Sequence, residues 1–306
     1  VQGVLNGFTT IGVVIAVGAL LAHLRIVDLG AQQVLSRIAF FVASPALMVI
    51  TLSRADVHQV LSANLVASVA GITVAAGTYI VLARTLWHRS LGDTTIGALS
   101  AAYVNAGNLG IPVASYVLGN AAFVAPTLLL QLLVLQPLAL GFLDADAHGR
   151  SRWWQLLTRP FRNPLTVGSL VGVVLSVTGW TLPTVAAAPL GLLGDMAVPC
   201  MLVAYGIALR LGPGLGRAGS AAELACTSTL KLFVQPVVAW FVASVLLGVE
   251  GHALLAIVVT SALPTAQNIF VHATRYHRAT VLARDTILIT TVGAVPVILL
   301  VAAVLG

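Results

Sequence analysis

The chain has 306 residues, of which 59% are apolar and only 8% charged, with a mean hydropathy of +1.03. A soluble domain carries about 25% charged residues, so there is too little charge here to coat a water-facing surface. The isoelectric point of about 10.0 therefore does not indicate nucleic acid. Most of the 15 Lys and Arg residues lie in loops between apolar runs, where they report membrane topology instead.

Ten apolar segments follow one another along the chain, at 4–22, 33–52, 60–83, 94–118, 122–143, 164–181, 190–209, 221–247, 252–274 and 285–305. Each has the length of a membrane-spanning helix. The runs are too long for strands, and a bilayer accepts only helices or closed barrels. The predicted fold is an all-α polytopic membrane protein of ten transmembrane helices. No basic stretch precedes the first apolar run, which predicts a first helix rather than a cleavable signal. Cys200 and Cys226 each sit inside an apolar run and read as small packing residues, with no metal-ligand spacing.

Orientation follows from the basic residues. With the N-terminus outside, Arg25, Arg84, Arg89, Arg150, Arg152, Arg159, Arg162, Arg210, Arg217, Arg275 and Arg278 fall in inner loops. Only Arg54 falls in an outer one. The positive-inside rule then predicts a multi-pass protein of the inner (plasma) membrane with both termini outside. The largest loop, 144–163, is cytoplasmic in this reading. Its Trp153 and Trp154 beside Arg152 suit the headgroup interface.

Prolines mark an internal repeat. Pro45 and Pro199 lie in the second and seventh segments, Pro112 and Pro264 in the fourth and ninth. The interval from Pro45 to Pro112 nearly equals that from Pro199 to Pro264. Gly3 and Gly7 in the first segment match Gly168 and Gly172 in the sixth. Five helices is an odd number, so the second copy enters the membrane from the opposite side, which is an inverted repeat of the kind secondary transporters use. The expected organisation is a first repeat over 1–143, a cytoplasmic linker over 144–163 and a second repeat over 164–306.

The most informative stretch is Asn105-Ala106-Gly107-Asn108-Leu109-Gly110-Ile111-Pro112. Two amides, two glycines and a proline inside an apolar span should break the helix. A broken backbone in a bilayer must face protein or a wet cavity. The matching stretch is Leu263-Pro264-Thr265-Ala266-Gln267-Asn268. If both helices break, each has a second half starting near Pro112 or Pro264, since proline suits the first helical position. Two half-helix N-termini would make an anion site without a buried lysine. The candidate substrate-binding residues are Asn105, Asn108, Gly110, Pro112, Pro264, Gln267 and Asn268.

The Asn105 to Pro112 stretch resembles the fourth-helix signature of the auxin efflux carrier family. Arg162-Asn163-Pro164, Pro199 through Gly206 to Leu209, Lys231 to Pro236 and Leu263-Pro264 are similar to its later landmarks. The resemblance covers the whole chain. It implies two inverted five-helix repeats with helices four and nine crossing at their prolines. It also implies a scaffold from helices one, two, six and seven, and a transport domain from helices 3–5 and 8–10. A homodimer and an elevator-like movement complete the implied design. Compact members of the family are associated with dicarboxylates and other organic acids, which makes a small organic anion the expected cargo. The bile acid sodium symporter group resembles this family in repeat design, so a sodium-coupled importer is the alternative.

Few ionisable residues fall within spans, and each is a functional candidate. Lys231 lies about ten residues into the eighth helix, roughly 12–15 Å along its axis. It reads either as a counter-charge or gate, or as a residue snorkelling to the interface. Asp195 opens the seventh segment, where it would cap the helix or line a cavity. His272, one turn past Asn268, would line the site or pack. No carboxylate falls at mid-membrane, which argues against a carboxylate proton relay. Efflux of an anion from a cell negative inside gains about 2.3 kcal/mol per charge at 100 mV. No cofactor is implied, although Asn, Gln and unwound carbonyls can ligate Na⁺. No His-Glu-x-x-His or carboxylate cluster is present, so an intramembrane enzyme is not expected.

Overall fold

The computed structural model describes residues 2–54, 57–148, 163–212 and 220–306. The Trp153–Trp154 pair, Arg150, Arg152, Arg159, Arg162 and Arg217 lie outside the described residues. In chain order the helices are α1 (Gln2–His23), α2 (Leu29–Ile38), α3 (Ser44–Ser53), α4 (Val57–Thr85), α5 (Leu91–Ala102), α6 (Ile111–Tyr116), α7 (Ala125–Leu130), α8 (Gln136–His148), α9 (Pro164–Thr178), α10 (Thr184–Asp195), α11 (Ala197–Leu211), α12 (Ala221–Thr229), α13 (Gln235–Trp240), α14 (Gly251–Ala262), α15 (Asn268–Tyr276) and α16 (Thr280–Leu305). Among the described residues there is no strand, only one isolated bridge.

Six continuous stretches are long and apolar enough to cross a membrane: Leu29–Ser53, Ala63–Thr85, Ala121–Ala147, Thr184–Leu211, Ala221–Leu246 and Thr280–Leu305. Thr9–His23, Pro164–Thr178 and Gly251–Ala262 are shorter apolar helices. The protein is a polytopic helical membrane protein.

Local sequence explains where these helices start and widen. Ser90 caps α5, its Oγ accepting from the Asp93 amide and donating to the Asp93 carboxylate. Ser220 caps α12 by accepting from the Glu223 amide. Asn163 accepts from the Leu165 amide, with Pro164 at the first turn of α9; both arrangements are standard solutions for orphan donors. Four π turns, Ala39–Ala43, Ala106–Gly110, Gln131–Leu135 and Leu230–Val234, each end two residues before a proline: Pro45, Pro112, Pro137 and Pro236. Proline has no N–H to give the carbonyl four residues back, and its ring clashes with that carbonyl. Widening the preceding turn relieves both problems while the helix continues.

The chain divides into two compact units. The first comprises Val1–Leu61, Gly107–Leu129 and Phe161–Pro213. Within it α11 packs on α1, and α9 and α10 pack on α3. The α9–α3 contact needs Gly168 and Gly172. A Cβ on Gly168 would lie 2.7 Å from the Pro45 carbonyl oxygen, and one on Gly172 2.8 Å from that of Met48. Close approach of this kind substitutes for the hydrophobic effect, which does not drive helices together in lipid.

The second unit comprises Ser62–Ala106, Leu130–Pro160 and Gly214–Gly306. Its core is built largely from alanine and aliphatic side chains. Ala67, Ala239, Ala243, Leu254, Ile257 and Val258 form one cluster, and Ile96, Tyr103, Leu140, Leu143, Ala266 and Ile269 anchor another. The second cluster surrounds the segments in which the two broken helices change direction.

Candidate functional site

Helix α5 ends at Ala102 and helical turns resume at Ala106, leaving Tyr103 to Asn105 outside any helix. Helix α14 ends at Ala262 and α15 begins at Asn268. Leu263 is extended, at φ −57° and ψ 148°, as expected for a residue whose successor is proline. The two breaks pair with each other inside the second unit. The Asn105 amide donates to the Pro264 carbonyl at 2.8 Å, and the Ala266 amide donates to that of Tyr103 at 3.1 Å. Val104 and Thr265 thereby form an isolated antiparallel bridge.

Breaking a helix orphans backbone groups, and each unsatisfied one is expensive in an apolar medium. Side chains from neighbouring helices satisfy them here. Gln131 treats Val104 as a strand would: its Oε1 accepts from the Val104 amide at 2.7 Å, and its Nε2 donates to the Val104 carbonyl at 3.1 Å. Thr290 Oγ1 accepts from the Thr265 amide at 3.1 Å. Thr265 in turn donates its hydroxyl to the Ser100 carbonyl at 2.6 Å. Gln235 Nε2 donates to the Ala102 carbonyl at 3.2 Å. Lys231 Nζ donates to the Ser261 carbonyl at 2.9 Å and to Gln235 Oε1 at 2.7 Å. All five side chains are buried, and Lys231 is 0% exposed. Gly71 brings its helix close at this point, since a Cβ there would lie 3.0 Å from the Gln235 carbonyl oxygen.

Four of the expected site residues belong to this knot. Asn105 and Pro264 are buried and joined by the bond above, and Gln267 and Asn268 are half-buried at the start of α15. The Tyr103 hydroxyl donates to Gln136 Oε1 at 3.3 Å. The Asn268 Oδ1 atom accepts no hydrogen bond. His272 is half-buried one turn further along α15. Asn108, Gly110 and Pro112 belong to the first unit, with Asn108 half-buried and the other two buried.

Three expectations change. The crossing is at Val104 and Thr265, not at the prolines. Pro264 lies within its break, whereas Pro112 lies beyond the other, after a π turn that absorbs its ring. The second half-helices accordingly start at Ala106 and Asn268. Asp195 caps nothing: it ends α10 as an exposed residue, and α11 begins after Met196 with no side-chain cap. Lys231 does not snorkel, because both its acceptors are internal. Of the residues that hold the breaks together, Thr265 lies in the interrupted stretch 263–268, whereas Gln131, Gln235 and Thr290 are not singled out by sequence. Their signal was there, as polar side chains amid apolar spans.

A separate polar cluster closes one end of the second unit. Arg89 and Glu223 form a bidentate pair at 2.7 and 2.6 Å. The carboxylate's hydrogen bonds push the Arg89 guanidinium above its usual range. Arg278 pairs with Asp146 at 2.8 Å, and the Tyr276 hydroxyl donates to Asp144 at 2.6 Å. Asp93 accepts from the Ala279 amide at 2.9 Å, holding Ala279 at φ +41°.

Comparison with known proteins identifies transporters similar to this chain. A protein from Methanothermobacter thermautotrophicus (strain Delta H), described as an "Uncharacterized transporter", is 27% identical over 259 residues, covering 83% of this chain and 82% of that protein. A Rhizobium meliloti (strain 1021) protein, described as a "Putative malonate transporter", is 26% identical over 262 residues, covering 83% and 81%. The family described as membrane transport protein matches residues 150–302, half of the chain. The chain belongs to this membrane transport protein family, which is auxin efflux carrier-like.

Proposed function

We propose that the protein is a secondary carrier moving a small organic anion, most simply a carboxylate, across the inner membrane. The reading rests chiefly on the paired breaks at Val104 and Thr265. Each is followed by a helical segment, the first starting at Ala106 and the second at Asn268. Such ends carry partial positive charge and favour anions. Asn105, Pro264, Gln267 and Asn268, which the second unit brings together, are the residues we assign to substrate. The Rhizobium relative's description as a "Putative malonate transporter" supports a carboxylate cargo.

The inverted repeat is part of the same proposal. Val104 and Thr265 each give their amide to a side chain of the following long helical stretch, Gln131 and Thr290. The α1–α11 and α9–α3 contacts pair the first helix of each half with the second helix of the other. Both features are what two halves related by a two-fold axis in the membrane plane would give. Ten spans, termini outside, a homodimer and elevator-type alternating access belong to this design, with efflux driven by membrane potential. The second reading is a sodium-coupled importer.

The test is counterflow of labelled malonate, malate and indole-3-acetate in proteoliposomes, with and without Na⁺. Saturable exchange independent of Na⁺ supports the proposal. Exchange that requires Na⁺ selects the second reading, and no exchange of any of the three removes this cargo class.

A further inference from the structure

Lys231 is the only lysine in the chain; the other fourteen basic residues are arginines. It is fully buried in the π turn Leu230–Val234, among apolar neighbours. The described ion pairs join Arg89 to Glu223, Arg278 to Asp146 and Arg284 to Asp285, so no described carboxylate neutralises Lys231. Its partners are neutral oxygens, the Ser261 carbonyl and Gln235 Oε1. An isolated buried ammonium is strongly disfavoured, so something else must stabilise it.

The ends of the broken helices supply that stabilisation. Ser261 is in the last turn of α14, and its carbonyl lacks the usual intrahelical donor because the Thr265 amide is bound to Thr290. Ala102 ends α5, and the amide that would have served its carbonyl, that of Ala106, goes to Val104 instead. Both carbonyls are at the negative ends of helix dipoles. Lys231 reaches the first directly, and Gln235, which Lys231 also binds, reaches the second. Half-helix C-termini and unwound carbonyls are what carriers with broken helices use to hold a free coupling cation. A lysine ammonium is a compact point charge suited to that position, whereas a guanidinium fork is not.

We propose that Lys231 is a tethered cation occupying the coupling-ion position, so that the carrier needs no free sodium. This inference rests on the carrier reading above and deepens it. The charge is carried with the protein and cannot be released with the substrate. The anion would therefore move uncoupled from a sodium gradient, with the two half-helix ends permanently neutralised.

The test uses purified full-length protein and two readouts, melting temperature without substrate and counterflow. Wild type should melt at the same temperature in Na⁺ and in choline. Lys231→Ser should lose at least about tenfold in counterflow, because two dipole ends lose their cation. Na⁺ or methylammonium should then raise its melting temperature by about 3–5 °C over choline, as mass action gives at roughly ten to a hundred times the dissociation constant. Lys231→Met keeps the volume without the charge. It should also lose at least about tenfold in counterflow, and it decides the matter if the serine variant does not fold. Stabilisation of wild type by Na⁺, indifference of Lys231→Ser to every small cation, or wild-type counterflow by Lys231→Met would each overturn the proposal. Since melting needs no substrate, the cation responses can hold while no organic anion is exchanged. That pattern would keep the cation site and remove the cargo.

Discussion

Gln131 is the residue whose removal most directly probes how the first broken helix survives in a bilayer. Gln131→Met preserves length and volume but removes both hydrogen bonds to Val104. The Val104 carbonyl retains the Ala106 amide at 2.7 Å, so it loses only one of two donors. The Val104 amide loses its sole partner while only 1% of the residue is exposed. An orphaned buried donor costs about 1–3 kcal/mol, and the lost bond to the carbonyl about 1 kcal/mol more. The expected loss is roughly 2–4 kcal/mol, or about 4–8 °C in melting temperature at about 2 °C per kcal/mol for a chain of this size. Thermal unfolding in detergent measures the shift, and hydrogen exchange at the Val104 amide locates it. Gln131→Glu restores an acceptor for that amide and should lie between the two. If Gln131→Met melts within about 1 °C of wild type and Val104 exchange is unchanged, the hydrogen-bond account of the break is wrong.

Other outcomes follow from the same geometry. Gly168→Ala should destabilise by about 1–3 kcal/mol, since its Cβ would meet the Pro45 backbone, whereas Gly12→Ala, with open space around it, should be neutral or slightly stabilising; comparative melting separates them. Arg89→Met should destabilise more than Glu223→Gln, because it strands a carboxylate only 4% exposed, while Arg89 is 41% exposed and can be hydrated; a double-mutant cycle reads the difference. Ala279→Gly should stabilise by about 1 kcal/mol by relieving a left-handed conformation, again by melting.

Much of the fold can be read from the sequence because membrane constraints are severe. Apolar run length and the polar interruptions beginning at Asn105 and Thr265 are legible because neither is tolerated inside a span without a physical reason. Proline positions proved less informative. Pro264 does mark its break, but Pro112 does not, since a π turn lets a helix pass through a proline. The break before Pro112 is instead fixed by the Val104 and Asn105 amides donating to Gln131 and to the Pro264 carbonyl, tertiary bonds that no local pattern encodes. The same holds for Lys231. Its depth in the stretch Ala221–Leu246 is legible, but whether it points to water or to a helix end depends on where Ser261 lies. The cap expected of Asp195 is absent for a simpler reason, as the preceding helix runs through it and Met196 takes the cap position.

The most direct test of a carrier with its site at the paired breaks is counterflow of labelled malonate, malate and indole-3-acetate, comparing wild type with Asn105→Ala and Asn268→Ala. Saturable exchange of at least one anion by wild type, lost in both variants while their melting temperatures hold, is the predicted result. Exchange unaffected by either substitution would contradict it and place the substrate elsewhere.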